Sequence, residues 1–335
     1  MTPHPWNLSL WRGLDADRAH LPHALLLHGP LGVGKKIFAE TLAKSLLCES
    51  PTAEGACGQC KSCHWFEQGS HPDYKLIEPA EKNEDDETPA KKGGRHIAIA
   101  EIRALGEFLA LAAHQGGWRV VVVHPAEAMN IAAANALLKT LEEPPANVLL
   151  MLVSHQPRRL LPTVLSRCRK VAVALPEWQS AVDWLRLQGQ AEPESLLREA
   201  GGAPLVALEY ADAERLARRE RFVEVLAHPS AAELSSLGQE FQSRLEEAWG
   251  WLTRWAHDLI RIRNLADPRY FPEQFEVMRG LADGASLSGL LRLEQELRQS
   301  GRWLRHPLNG QLLLESWLLR YGEVTRAENA RASHG

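Results

Sequence analysis

The sequence predicts an α/β domain with a parallel, doubly wound sheet, followed by an all-helical part. Three observations point there. A short apolar run, Ala24-Leu25-Leu26-Leu27-His28, leads directly into a glycine loop and then a helical pattern. Further apolar runs alternate with segments of helical spacing as far as about Ala174. From about Ala213 onward only helical spacing is found.

The elements follow in order. The run at Ala24 reads as a buried strand. After the loop Gly29-Pro30-Leu31-Gly32-Val33-Gly34-Lys35-Lys36, residues Ile37 to Leu47 read as a helix, with Phe38, Leu42, Ser45 and Leu46 at helical spacing. His71-Pro72-Asp73 reads as a turn, and Tyr74 to Ile77 as a strand. Residues 80–95 are charged and poor in apolar side chains, the pattern of a solvated loop. Ile99 to Ala113 reads as a helix. Val120-Val121-Val122-Val123 is β-branched throughout and suits a strand covered on both faces. Ile131 to Glu143 is helical and stops at Pro144-Pro145. Val148 to Val153 is another strand, Leu160 to Leu165 a short helix, and Lys170 to Ala174 a last strand. Ser180 to Leu187, Glu194 to Ala200 and Leu205 to Tyr210 read as helices. Further on, Leu245, Leu252, Trp255, Leu259 and Ile262 keep helical spacing, as do Leu312, Leu313, Ser316, Trp317 and Arg320.

Composition narrows the function classes. The chain has 335 residues, enough for two or three domains. Hydrophobic residues make up 45% and charged residues 24%, which excludes a disordered chain, a collagen or a coiled-coil rod. No apolar run approaches the ~20 residues needed to span a bilayer, and no secretory apolar core follows Met1, so a cytoplasmic chain with no membrane partner is expected. A net charge of -4 argues against a chain that grips DNA tightly by itself. The last lysine is Lys170, and later basic residues are arginines, which fits either codon bias or a domain change nearby. Seven of the eleven tryptophans follow Pro176, where helix packing rather than a cofactor accounts for them.

Gly29-x-x-x-x-Gly34-Lys35 has the spacing of a phosphate-binding loop, in which backbone N–H groups, a lysine and a helix N-terminus converge on phosphate. Gly29, Gly32, Gly34 and Lys35 are the candidate nucleotide residues. Two metal-holding features are missing. The position that needs a Ser or Thr hydroxyl for Mg²⁺ is Lys36, and the strand Val120–Val123 runs into His124-Pro125 with no carboxylate before Glu127. A phosphate-loop-shaped turn is therefore expected without ATP hydrolysis, and passive nucleotide binding stays open.

Four of the five cysteines fall within residues 48–63. Cys57-x-x-Cys60-x-x-Cys63, with Cys48 upstream, offers four thiolates for a closed tetrahedral Zn²⁺ site of structural kind. An iron–sulfur cluster lacks its usual run of cysteines before a proline, and unrelated buried thiols are the remaining reading. His64 and His71 read as surface or capping residues, and Cys168 as a small buried thiol.

With these pieces placed, the chain resembles the bacterial DNA polymerase III clamp-loader family. The resemblance lies in Asn135-Ala136-Leu137-Leu138-Lys139-Thr140-Leu141-Glu142-Glu143-Pro144-Pro145, in Leu165-Ser166-Arg167-Cys168, in the cysteine module after the loop helix, and in Gly69-Ser70-His71-Pro72-Asp73. It is strong over about residues 20–210 and loose beyond. It implies an AAA+-type P-loop domain with an inserted zinc module (1–174), a small helical lid (175–212) and a helical collar that holds the ring (213–335). The family's active ATPase, gamma/tau, keeps Ser or Thr after the loop lysine, an Asp-Glu pair after the second strand, and an Arg after the lid's glycine turn. Here stand Lys36, His124-Pro125 and Gly202-Ala203-Pro204-Leu205-Val206. These losses resemble the stationary, non-hydrolysing member of the ring.

The resemblance implies a role in opening the sliding clamp and placing it on primed DNA, with gamma/tau and delta as partner subunits. ATP would sit only at interfaces between subunits. Arg167, with Ser166 beside it, would reach a neighbour's ATP as an arginine finger. The bland alternative is that Arg167 pairs with an acidic neighbour. Two rival functions are an active gamma/tau-like ATPase, opposed by Lys36 and His124-Pro125, and a stand-alone zinc protein that binds nucleic acid, opposed by the net charge and the lack of a basic aromatic stretch.

Overall fold

The structure is a computed structural model that describes residues 2–52, 54–79, 96–110, 113–114, 117–304 and 309–326. The charged stretch 80–95 lies outside the described residues. The chain divides into two compact units, Met1–Gly189 with Gly202–Val206, and Gln190–Gly201 with Ala207–Gly335.

In the first unit the elements are α1 (Leu8–Ala16), β1 (Ala24–His28), α2 (Lys35–Leu47), α3 (Lys61–Glu67), β2 (Tyr74–Ile77), α4 (Ile99–Ala110), β3 (Arg119–Val123), α5 (Ile131–Glu142), β4 (Val148–Ser154), α6 (Pro162–Leu165), β5 (Arg169–Ala172) and α7 (Trp178–Leu187). The five strands form one sheet in the order β2-β3-β4-β1-β5. Every pairing is parallel, with Leu25 opposite both Met151 and Arg169.

Period-two alternation along each strand feeds two cores. Ala24, Leu26, Val121, Leu150 and Leu152 pack with Leu105 and Leu137 of α4 and α5. Leu25, Leu27, Val120, Met151 and Val153 pack with Trp11, Phe38 and Leu42 of α1 and α2. Both faces of β1, β3 and β4 are thus covered, and these strands read as unbroken apolar runs for that reason. Burying each such side chain contributes about 1.5–3 kcal/mol.

The boundaries moved where local signals competed. Helix α2 begins at Lys35, because Gly34 takes a left-handed conformation as its N-cap. The Asn130 side chain caps α5 by accepting from Ala133 N at 2.8 Å. Two helices were not anticipated. α1 buries Trp11 and Leu14, and α3, only seven residues long, is capped by the Cys60 side chain.

The second unit is helical among its described residues. It contains α8 (Pro193–Glu199), the second half of α9 (Pro204–Glu209), α10 (Ala213–Ala227), α11 (Ala231–Glu240), α12 (Leu245–Arg263), α13 (Phe275–Asp283), α14 (Leu287–Ser300) and α15 (Gly310–Arg326). Its core gathers Phe222, Phe241, Trp251, Trp255, Phe271 and Tyr321. Trp255 Nε1 donates to Tyr321 Oη at 3.0 Å, so the buried aromatic polar tips are partnered.

The face of α15 differs from expectation. Leu314, Trp317, Leu318, Tyr321 and Val324 are buried, whereas Leu312 is 62% exposed. The i, i+3, i+4 pattern starts two residues later than the sequence suggested.

Two buried carboxylates brace this unit. Glu199 at the end of α8 accepts from Arg215, from Trp251 Nε1 at 2.9 Å and meets Arg219 Nε at 3.0 Å. Burial pushes its carboxyl up, but Arg215 and Arg219 outweigh burial and leave it below the usual range. Asp258 on α12 is fully buried and accepts from the backbone N–H of Arg269, Tyr270 and Phe271.

Candidate functional site

The glycine loop follows the carboxyl end of β1, where open parallel α/β sheets place their ligands. Gly32 (φ +75°) and Gly34 (φ +83°) need the left-handed backbone that only glycine adopts freely. Side chains of the same unit lie hard against both. A Cβ on Gly32 would stand 2.5 Å from Val206 Cγ2, and one on Gly34 would collide with the His4 ring. Leu205 N donates to Gly32 O at 3.1 Å. Trp6 Nε1 and Asn7 Nδ2 both donate to Val33 O at 3.0 Å. His4 stacks on Trp6 with ring centroids 4.7 Å apart, and Trp184 meets both edge-on.

The loop lysine is spent internally. Lys35 Nζ donates to Gly29 O at 2.8 Å and to Pro30 O. Its burial lowers the ammonium to a pKa of about 8, against the raising effect of Glu127. Burial and the Lys35 charge hold the His155 imidazole down at about 4.

The two positions where the metal-holding pattern breaks are brought to one carboxylate. Lys36 Nζ sits 2.9 and 2.8 Å from the two Glu78 oxygens. His124 Nδ1 lies 2.8 Å from Glu78 Oε1. Burial raises the Glu78 carboxyl, but Lys36 and His124 outweigh it and hold it below its usual range. Glu127, the first carboxylate after β3, accepts from His155 N at 2.9 Å and Gln156 N at 3.0 Å. It therefore ties two loops together.

The cysteines Cys48, Cys57, Cys60 and Cys63 converge, with all four sulfurs within 4.8 Å of one another. Cys48 and Cys60 sulfurs are 3.8 Å apart, and those of Cys57 and Cys63 are 4.0 Å apart. A tetrahedral ZnS₄ unit with Zn–S of ~2.3 Å has sulfur separations of ~3.8 Å, so the donor set fits. Backbone N–H groups already point at the sulfurs: Cys57 N to Cys48, Cys60 N to Cys57, Cys63 N to Cys60. The N–H groups of Gln59 and Cys60 lower the Cys57 thiol to about 6, while burial raises Cys63 to about 12. These four cysteines can hold a metal ion.

His71 is buried rather than a surface residue. It meets Ser62 Oγ at 2.8 Å, and Ser62 donates to Leu47 O, beside Cys48. Asp73 accepts from Arg119 Nη2 at 3.2 Å and from His114 N at 3.0 Å. The Gly69–Asp73 turn thus ties the cysteine module to the sheet. His64 is exposed, as expected. Cys168 is 8% exposed, and burial raises its thiol to about 11.

Arg167 and Ser166 lie just before β5, at the end of the sheet opposite the glycine loop. With Leu25 paired to Arg169 and His28 to Ala172, the loop is about six residues further along the strand direction, or ~20 Å. Arg167 Nη2 meets Glu142 Oε1 at 2.6 Å, and its Nη1 donates to Thr163 O at 2.9 Å. The sequence reading missed Glu78, Glu142 and the His4–Asn7 cover. All are distant in sequence from the groups they meet, so no local motif could mark them.

A parallel sheet with helices on both faces and a glycine loop between its first strand and the following helix defines the P-loop α/β class. Two family models described as DNA polymerase III, delta subunit, match residues 11–176 and, for the C-terminal part, 213–323. DNA polymerase III subunit delta' of Pseudomonas aeruginosa is 37% identical across 96% of this chain and 98% of its own length. That of Yersinia pestis is 33% identical, covering 96% of each chain. Subunit tau of Salmonella typhimurium is 36% identical over 48% of this chain and 22% of its own. The chain belongs to the delta-prime family of DNA polymerase III, a clamp-loader component.

Proposed function

We propose that this chain is the non-hydrolysing member of the clamp-loader ring, and that it supplies Arg167 in trans to the ATP of a neighbouring gamma/tau subunit. One observation carries the reading. Arg167 lies at the opposite end of the sheet from the chain's own glycine loop, ~20 Å away, so it can serve only a nucleotide bound by another subunit. A guanidinium delivered there forks onto phosphate oxygens and stabilises the charge that develops on the transferred phosphoryl group. Ser166 shapes the turn that presents it, with its Oγ donating to Thr163 O at 3.1 Å.

The glycine loop supports the other half. Gly29, Gly32, Gly34 and Lys35 keep the shape of a phosphate cradle, but His4 and Val206 pack against it and Lys35 is tied to the loop's own carbonyls. Lys36 is paired with Glu78 where a hydroxyl would hold Mg²⁺. ATP then enters the reaction only at the neighbouring interface. Cys48, Cys57, Cys60 and Cys63 would hold a structural Zn²⁺, since a closed four-thiolate set leaves no open position for chemistry. Residues 175–212 serve as the lid and 213–335 as the collar that joins this chain to gamma/tau and delta. Sliding clamp and primed DNA are met through the assembled complex, in the cytoplasm. No helix among the described residues is long and apolar enough to cross a membrane.

The test is the ATPase rate of the reconstituted loader, with clamp and primed DNA, carrying Arg167→Ala. A slowed rate with normal assembly is expected. An unchanged rate overturns the finger role, and ATP turnover by the isolated chain that Lys35→Ala abolishes overturns the non-hydrolysing role.

A further inference from the structure

Arg167 is held, not free. Glu142 Oε1 lies 2.6 Å from its Nη2, while Thr163 O and Ser166 Oγ take its Nη1. Glu142 is the last residue of α5, and Arg167 follows α6, so the pair joins two separate segments at one end of the sheet.

Helix physics does not explain a glutamate at that place. A carboxylate in a last turn faces the negative end of the helix dipole, and Glu143 adds a second negative charge beside it. Lys139 lies in the same turn, and the Arg167 guanidinium is the cation that contacts the Glu142 carboxylate and offsets this arrangement. The pair is also labile. The Arg167 and Glu142 side chains are 34% and 50% exposed, and pairs that open to solvent hold weakly. A triphosphate carries more charge than a carboxylate and accepts the guanidinium as a fork, so it can take the cation over.

We propose that Glu142 is a positioning residue for Arg167, holding the guanidinium against Thr163 until the triphosphate of a neighbouring subunit displaces the carboxylate. Glu142 and nucleotide therefore compete for one cation. The proposal rests on the in-trans reading of Arg167. The apparent KM for ATP at that interface contains the equilibrium of the Glu142–Arg167 pair. The kcat, set once Arg167 is on phosphate, does not.

The experiment uses the reconstituted loader with clamp and primed DNA, and reads initial rates across ATP concentration. Glu142→Gln keeps the shape and removes the charge. It should lower the KM about two- to fivefold at unchanged kcat, and the difference should shrink as salt is added. In an Arg167→Ala background the same substitution should change nothing. An unchanged KM, a fall in kcat, or the same KM shift without Arg167 each overturns the proposal. Arg167→Ala alone tests the underlying reading separately: if it leaves the loader's rate unaltered, the in-trans role falls whatever Glu142→Gln does.

Discussion

The two ends of the parallel sheet carry the same fold to opposite states. At the carboxyl ends of the strands, the glycine loop is filled by its own chain: His4 and Val206 lie on its glycines, Lys35 bonds its carbonyls, and Lys36 and His124 share Glu78. At the amino ends, Arg167 stands half-exposed on a weak surface pair with Glu142. At the closed end Lys36, His124 and Glu78 match one another's charge, whereas the open end has a charge matched only provisionally. The lesson is that one chain can cover its own glycine loop with its own side chains while leaving Arg167 at the other end accessible.

The largest effect that could break this contrast is at the open end. Arg167→Ala should slow ATP hydrolysis at the interface it completes by ~10³-fold or more, with the thermal midpoint of the chain unchanged, as steady-state rates and thermal unfolding would measure. Next comes the metal. Chelation should release about one zinc per chain, measured by elemental analysis, and speed amide exchange across residues 48–63, because metal binding and folding of such modules are one equilibrium. An exchange profile left unchanged by chelation would remove the zinc claim.

A smaller effect probes how dry the closed end is. His155 is held down at about 4 by burial and Lys35, with His124 also lowering it and Glu127 raising it. The folded chain thus resists the proton that the unfolded imidazole takes up near 6.5. The stability that depends on the neutral ring is complete above about pH 6.5 and lost as pH falls toward 4. His155→Gln should flatten the fall of the urea midpoint across that window, and parallel curves would mean the end is open to water. The smallest effect is the sharpest contrast. Lys35→Ala should leave loader turnover at the wild-type rate, since its ammonium already serves only Gly29 and Pro30.

Much of this architecture was legible in the sequence, for physical reasons. Strands buried on both faces must be apolar throughout, so Val120–Val123 and Val148–Val153 announced themselves. Cysteines with two residues between them on a turn already sit within reach of one ion, so Cys57, Cys60 and Cys63 could be grouped before their sulfurs were located. Helix α3 was hidden because seven residues give too few turns for a period. The partners of Lys36 and Arg167 were hidden for another reason. Glu78 and Glu142 reach them through strand order and loop geometry, which spacing along the chain does not encode. The bland reading of Arg167, an acidic partner, is met by Glu142, and its functional reading remains the proposal made above. Of the two readings of His71, surface or capping, the second fits, since its Nδ1 accepts from Asp73 N at 3.0 Å, but a histidine in a His-Pro-Asp turn gives no sign of the Ser62 hydroxyl that meets its other nitrogen in the interior.

The Lys36–Glu78–His124 cluster has a consequence for any substitution at position 36. Exchanging Lys36 for Thr would supply the missing hydroxyl, but it would strip Glu78 of the ammonium that contacts both its oxygens and leave it paired with His124. His4 and Val206 would still press on the loop. A hydroxyl at position 36 would therefore unbalance Glu78 without clearing the loop, so Lys36, Glu78, His4 and Val206 can change character only as a group.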